Sequence, residues 1–205
     1  ISDSSKNEIE KYTEFNSNKV FNISAACNTN IFNLEKKEDV AYLKKINSFG
    51  QYYLYTGAID PRKNLYFLLE AYSRLPLHIS TNHKLVLAGP ISDKQIKLIN
   101  IWVKDLNISS HNIVILGFVD DSFLVTLYRN CFLFIFPSLH EGFGLPVLEA
   151  MSCGAPVVSS NTSSLPEIIN FDPSLFDPND INKFTELLVE VSTDFDLYNS
   201  IKKNS

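Results

Sequence analysis

The segment HEGFGLPVLEA, His140 to Ala150, sets Glu141 and Glu149 eight positions apart around a turn containing Gly142, Phe143, Gly144 and Leu145. A carboxylate can accept a pair of hydrogen bonds from vicinal hydroxyls, as an acidic residue does for ribose in dinucleotide sites. Glu149 can do this from one turn inside a helix of about ten residues beginning near Leu145. The start of such a helix leaves backbone N–H groups without partners, and positions 142 and 144 carry no side chain to block an anion approaching them. Glu141 lies in the loop itself, nearer to whatever is attached beyond that anion. Singly, either glutamate could be a solvated surface acid; for both to be idle across one glycine-rich turn is the weaker reading.

A second loop, GAIDPRKN from Gly57 to Asn64, adds the opposite charge. Asp60 as cap and Pro61 as first helical residue place Arg62 and Lys63 in the first turn of the next helix. Cations there oppose the helix dipole by about 0.3–1 kcal/mol each. A bound anion would remove the conflict, because N–H groups, guanidinium and ammonium would converge on it. Without an anion, both side chains would swing into water. Two helix starts facing one crevice suit a diphosphate.

The elements that must position these loops alternate between strand and helix. QYYLYTG (51–57), HKLVLAG (83–89), NIVILG (112–117), CFLFIFP (131–137) and APVVSS (155–160) are short branched or aromatic runs closed by glycine, proline or serine, as strands buried on both faces would be. Helical spacing follows at Leu65, Leu68, Leu69, Tyr72 and Leu75, and at Ile96, Ile99, Val103 and Leu106 behind a Ser92/Gln95 capping box. The expected fold class is α/β, a doubly wound, Rossmann-like parallel sheet whose ligands sit at the carboxyl ends of the strands. Residues 1–33 stand apart: SDSSKNEIEKYTEF predicts a capped helix, KVFNISAA a strand and CNTN a connection. The expected division is 1–33, the end of another domain, and 34–205, with a helical C-terminal stretch and both ends cut from a longer protein.

Composition narrows the function. With 205 residues, 45% of them hydrophobic, the chain can bury a core. A net charge of -5 without a Lys/Arg block argues against nucleic acid as a partner. No apolar run approaches the roughly 20 residues needed to span a bilayer. Cys27, Cys131 and Cys153, odd in number and widely spaced, suit thiols in a reducing compartment, so a cytoplasmic location is expected and the sequons at Asn22, Asn107 and Asn161 read as chance.

EGFGLPVLE is similar to the E-x7-E motif of retaining nucleotide-sugar glycosyltransferases of family 4, which have the two-domain GT-B fold. YTGAIDPRKNLYFLLEAY, LVLAGP and VILGFVDDSFLVTLYRNCFLFIFPSLHEGFGLPVLEAMSCGAPVVSSNTSSLPEI resemble that family's C-terminal, donor-binding domain over about residues 51–180. Residues 1–33 resemble the end of its N-terminal acceptor domain and the linker. The resemblance implies transfer of a mannose- or glucose-type hexosyl group, with retention, from a GDP or UDP sugar to a glycan or lipid-linked acceptor. It implies no metal and no cofactor, and it leaves acceptor contacts, with any peripheral membrane contact at the inner face, to the N-terminal domain. This stretch alone would then be inactive.

By position, Lys63, with Arg62 as helper, would neutralise the diphosphate; Glu149 would bind ribose; Glu141 would face the transferred sugar near its anomeric carbon. Phe143, Gly144 and Leu145 main chain would hold phosphate and sugar oxygens, with Gly142 and Gly57 in the same donor set. Main chain at Gly117 and Phe118, with Val119, would meet the base. Asn161, Thr162 and Ser163 could touch donor phosphate or belong to an ordinary turn with helix capping. Ala58 stands where many members carry arginine, which leaves that share of phosphate binding open. Asp194-Phe195-Asp196 mimics a metal-binding D-x-D but lies in a helical tail, where a solvated helix face is the better reading. A sugar-nucleotide epimerase of related fold and a non-catalytic nucleotide-binding module are the alternatives, and the E-x7-E spacing argues against the first.

Overall fold

The computed structural model describes residues 1–15, 17–35 and 39–205. Six parallel strands form one sheet: β1 (Gln51–Thr56), β2 (His83–Ala88), β3 (Ile113–Gly117), β4 (Leu133–Phe136), β5 (Val157–Ser160) and β6 (Leu175–Phe176). Their order is β3-β2-β1-β4-β5-β6. Chain order therefore reverses between β1 and β4, where Tyr53 and Leu54 register with Leu133 and Phe134. In such a sheet the crevice that takes ligands opens at this switch point, outside the strand ends.

The helices among the described residues are α1 (Asp3–Tyr12), α2 (Val40–Asn47), α3 (Leu65–Ser73), α4 (Leu77–Asn82), α5 (Asp93–Asp105), α6 (Asp121–Asn130), α7 (Leu145–Ser152), α8 (Leu165–Ile169), α9 (Ile181–Thr193) and α10 (Phe195–Asn204). Side chains alternate along each strand, so β1 sends Tyr52 and Leu54 into one apolar cluster and Tyr53 and Tyr55 into the other. Ile46, Leu127 and Val147 of α2, α6 and α7 cover the first cluster. Leu68, Ile99, Phe184 and Ile201 of α3, α5, α9 and α10 cover the second. Because both faces are covered, the strands read as continuous apolar runs rather than alternating ones. The doubly wound α/β expectation holds, and both halves of the Ser92/Gln95 capping box are present at α5.

Two local expectations need correction, and a third, the helical C-terminal stretch, holds with a break in it. The sheet has a sixth strand, β6, whose two residues are too short to carry a pattern; it pairs through Ser159 with Leu175 and Ser160 with Phe176. KVFNISAA is not a strand. Its Phe21 and Ile23 are 75% and 83% exposed, and Ser24 takes a positive φ of 60° while its N–H bonds the Asn22 side chain, so no ladder or apolar face stabilises an extended run. The C-terminal stretch is two helices, divided at Asp194, whose carboxylate accepts the N–H groups of Asp196 and Leu197 and starts α10. The first aspartate of the D-x-D look-alike is thus a helix cap.

The strand ends make the crevice floor. Gly57 N–H donates to Ala88 O and Gly89 N–H to Gly117 O, each at 2.9 Å, so β1, β2 and β3 finish in step. A Cβ at Gly89 would lie 2.4 Å from Gly57 O, an approach only glycine permits. Cys131 and Cys153 are buried, and Cys27 Sγ lies 3.1 Å from Ser152 Oγ. No helix among the described residues is long and apolar enough to cross a membrane.

Candidate functional site

The loop after β1 is tighter than its sequence predicts. Pro61–Lys63 form a single 3-10 turn, and Asn64, left-handed at φ 55° and ψ 36°, separates it from α3. Arg62 and Lys63 therefore do not occupy the first turn of α3, and the expected conflict with its dipole does not arise. Asp60 caps the 3-10 turn and also takes the Arg62 guanidinium, with Nε and Nη2 each at 3.2 Å from its oxygens. That contact holds the Asp60 carboxyl below its ordinary range. It also keeps Arg62 on the surface, with its side chain 64% exposed.

Lys63 points the other way. Its Nζ lies 2.6 Å from Glu141 Oε1 and 5.0 Å from the centroid of the Phe136 ring, at the end of β4. Backbone ties the two loops as well, since the Arg62 carbonyl accepts from Leu139 N–H at 2.7 Å and Ser138 Oγ at 3.1 Å.

The 138–145 turn is held almost entirely by hydroxyls. Ser160 Oγ and Thr162 Oγ1 both donate to the Ser138 carbonyl. Ser163 Oγ accepts from Glu141 N–H at 2.9 Å. Ser164 Oγ lies within reach of the Glu141 and Phe143 carbonyls, at 3.1 and 2.7 Å. Gly144 begins α7 at φ 109° without a side-chain cap, and a Cβ there would lie 2.7 Å from Leu165 Cδ2. Among the described residues, no hydrogen bond from the N–H groups of Gly142, Phe143, Gly144 or Leu145 is found, which leaves them for an anion.

At the other end of the crevice, Glu149 of α7 borders a cavity of about 230 Å³ with Gly57, Gly89, Phe118, Val119 and Tyr128. Burial pushes the Glu149 carboxyl above its ordinary value. Tyr128 Oη donates to Glu149 Oε2 at 3.4 Å and lies 3.2 Å from Thr56 Oγ1. Phe118 is 79% exposed at the rim, while Val119 packs against the core. Gly117, at φ 69°, turns the chain out of β3 towards them. A larger cleft of about 670 Å³ beside α5, bordered by Ile59, Leu98 and Ile101, includes neither glutamate nor Lys63. The groups expected to carry the chemistry lie outside this larger cleft.

The profile of the family described as "Glycosyl transferases group 1" matches residues 41–205. The chain belongs to this family. It is 36% identical over 207 residues to the serotype-specific mannosyltransferase WbdA of Escherichia coli, covering all of this chain and 25% of that protein. It is 35% identical over 192 residues to O-antigen chain mannosyltransferase B of the same organism, covering 93% of this chain and 50% of that protein. The chain thus spans a quarter to a half of the length of these relatives. A structure of Anabaena Alr3699/HepE in complex with UDP-glucose superposes with a TM-score of 0.81 at 18% identity, over 99% of this chain and 56% of that one. The fold is that of the C-terminal half of GT-B glycosyltransferases.

In this group 1 glycosyltransferase domain, Lys63, Glu141 and the 142–145 turn form one cluster. Glu149, Gly57, Phe118 and Val119 line the cavity, and Gly117 directly precedes Phe118 in the chain. The Arg62 guanidinium folds back on Asp60 while still feeling the Glu141 charge, and the Thr162 hydroxyl serves the turn rather than facing outwards. Tyr128, Ser164 and the pair Ser2 and Ser5 are not among the expected site residues, while Ser163, expected to touch phosphate or belong to a turn, serves the turn by accepting from Glu141 N–H. Only Ser2 carried a local signal, as the cap of α1; the others are brought in by contacts across 21 or more residues.

Proposed function

We propose that this domain holds the nucleotide diphosphate sugar for a retaining mannosyl transfer that extends a surface polysaccharide. The observation that carries the reading is the pairing of Lys63 with Glu141 at one end of the crevice whose other end is Glu149 with Tyr128. A donor laid along it would place ribose hydroxyls at Glu149, the base at Phe118 and Val119, the diphosphate at Lys63 and the open N–H groups of the turn, and the sugar at Glu141. The cavity of about 230 Å³ suits the nucleoside end alone, with the diphosphate emerging along the glycine turn.

In the transfer, the bond from the anomeric carbon to the diphosphate oxygen breaks and its electron pair stays on the leaving group. Lys63 and the N–H groups oppose that growing negative charge, while Glu141 opposes the positive charge on the sugar. With the Arg62 guanidinium folded back on Asp60, we assign the phosphate to Lys63 and main chain rather than to Arg62 in the place left by Ala58. The acceptor hydroxyl, on a glycan or a lipid-linked sugar, would be presented by the domain to which residues 1–33 belong. The mannosyl assignment is supported by WbdA and mannosyltransferase B. Calorimetric titration of the full-length protein with GDP, UDP and ADP tests the reading. Binding of GDP or UDP that is lost in Glu149→Ala is expected; binding of none, or equal binding by wild type and Glu149→Ala, would overturn it.

A further inference from the structure

One set of contacts to the glycine turn comes from outside the sheet domain's own loops. Ser2, wholly buried, and Ser5 place their Oγ atoms 2.8 and 3.0 Å from the Gly142 carbonyl, and the two hydroxyls are themselves 2.9 Å apart. They can donate to that carbonyl together or in relay. The helix that carries them is anchored beside the turn. Glu167 of α8 accepts from Asp3 N–H at 2.8 Å and Ser4 N–H at 2.7 Å, satisfying two donors that a helix start leaves open. His140 Nε2 lies 3.6 Å from Glu8 Oε2. A Cβ at Gly142 would come within 3.3 Å of Ile1 Cδ1, the residue just before the Ser2 cap, so the chain leading into α1 also lies against the turn.

A trans peptide points its C=O and N–H in opposite directions. Holding the Gly142 carbonyl against α1 therefore turns the Phe143 N–H to the side away from α1. The neighbouring carbonyls of Glu141 and Phe143 are occupied by Ser164, so the peptide groups on both sides of the Gly142–Phe143 link are fixed as well. An anion-binding turn gains affinity when its donors are oriented before the ligand arrives.

We propose that Ser2 and Ser5 are positioning residues for the donor's β-phosphate, acting through the Gly142 carbonyl to keep the Phe143 N–H aimed at it. This rests on the reading of the turn as the phosphate site. In the full-length protein, Ser2→Ala/Ser5→Ala is expected to weaken binding of whichever of GDP and UDP the wild type takes by about fivefold or more. The corresponding monophosphate, which lacks the β-phosphate, keeps its affinity. Ser2→Thr/Ser5→Thr, which retains both hydroxyls, restores diphosphate binding. Glu167→Ala, which loosens α1 without touching the turn's own bonds, shows the same selective loss. A parallel loss for mono- and diphosphate, or an unchanged diphosphate affinity in both alanine variants, would overturn the proposal while leaving the donor site standing. A wild type that does not prefer the diphosphate at all would instead overturn the phosphate reading of the turn, and this proposal with it.

Discussion

Lys63 Nζ and Glu141 Oε1 lie 2.6 Å apart and join the loop after β1 to the loop after β4 across the point where strand order reverses. Their side chains are 21% and 14% exposed, so each charge is partly desolvated and relies on the other. A diphosphate that engages Lys63 competes with Glu141 for it, and leaves the carboxylate to the sugar.

Lys63→Ala is expected to weaken nucleoside diphosphate binding by about 10- to 100-fold, the worth of a hydrogen bond to a charged group, with little change for the monophosphate. Glu141→Gln keeps an acceptor for Lys63 and loses the charge. Its donor affinity should stay near that of wild type while turnover of the full-length enzyme falls by about 100-fold or more. Titration calorimetry and steady-state kinetics separate the two; a Glu141→Gln enzyme of normal turnover would remove Glu141 from the chemistry.

Glu149 carries a stability cost at neutral pH, which the proposed ribose contact would explain. Burial raises its carboxyl above the ordinary value of 4.5, so the folded protein holds that proton more tightly than the unfolded chain does. Stability therefore falls as pH rises from about 4.5 through the folded value, and ionised Glu149 is a net cost at neutral pH. Glu149→Gln should raise the melting temperature at pH 7 and weaken nucleotide binding in the same preparation. A variant that melts lower while binding normally would contradict both halves.

His83 acts in the opposite sense. It is buried between Tyr53 and Phe132, its Nδ1 lies 3.2 Å from Ile79 O, and among the described residues its Nε2 has no partner. Burial lowers its pKa below 6.5, so the unfolded chain takes up the proton first and stability is lost as pH falls below about 6.5. His83→Phe keeps the aromatic stack and removes this titration. Its melting temperature should drop less than that of wild type between about pH 7 and 5, as followed by circular dichroism.

Gly144→Ala should destabilise the fold by about 1–3 kcal/mol, because φ 109° is closed to alanine and the new Cβ would press within 2.7 Å of Leu165 Cδ2 and 3.1 Å of Ile168 Cδ1. Urea denaturation measures the change, and diphosphate binding should weaken with it. A shift below about 0.5 kcal/mol would mean that the turn relaxes without strain.

Five of the six strands, the helices after them and the two loops of the candidate site were legible in the sequence, because both-face burial writes long apolar runs and glycine or proline writes their ends. Glu141, Glu149, Lys63 and the glycines were legible for a related reason, since their chemistry lies in residue type and short spacing. The direction of Arg62 was not: nothing local distinguishes a guanidinium facing an anion from one folded back on Asp60. β6 and the missing strand at KVFNISAA turn on neighbours that pair or fail to pair, which short-range pattern does not contain. The same holds for Tyr128 beneath Glu149, Ser164 under the turn, and Ser2 and Ser5 against Gly142. The sequence by itself determined the layered α/β framework, through periodicity, and which residues are candidates for the chemistry, through side-chain type. Only the tertiary structure decided which groups meet, because these contacts join positions 21 to 140 residues apart and depend on how the helices seat against the sheet.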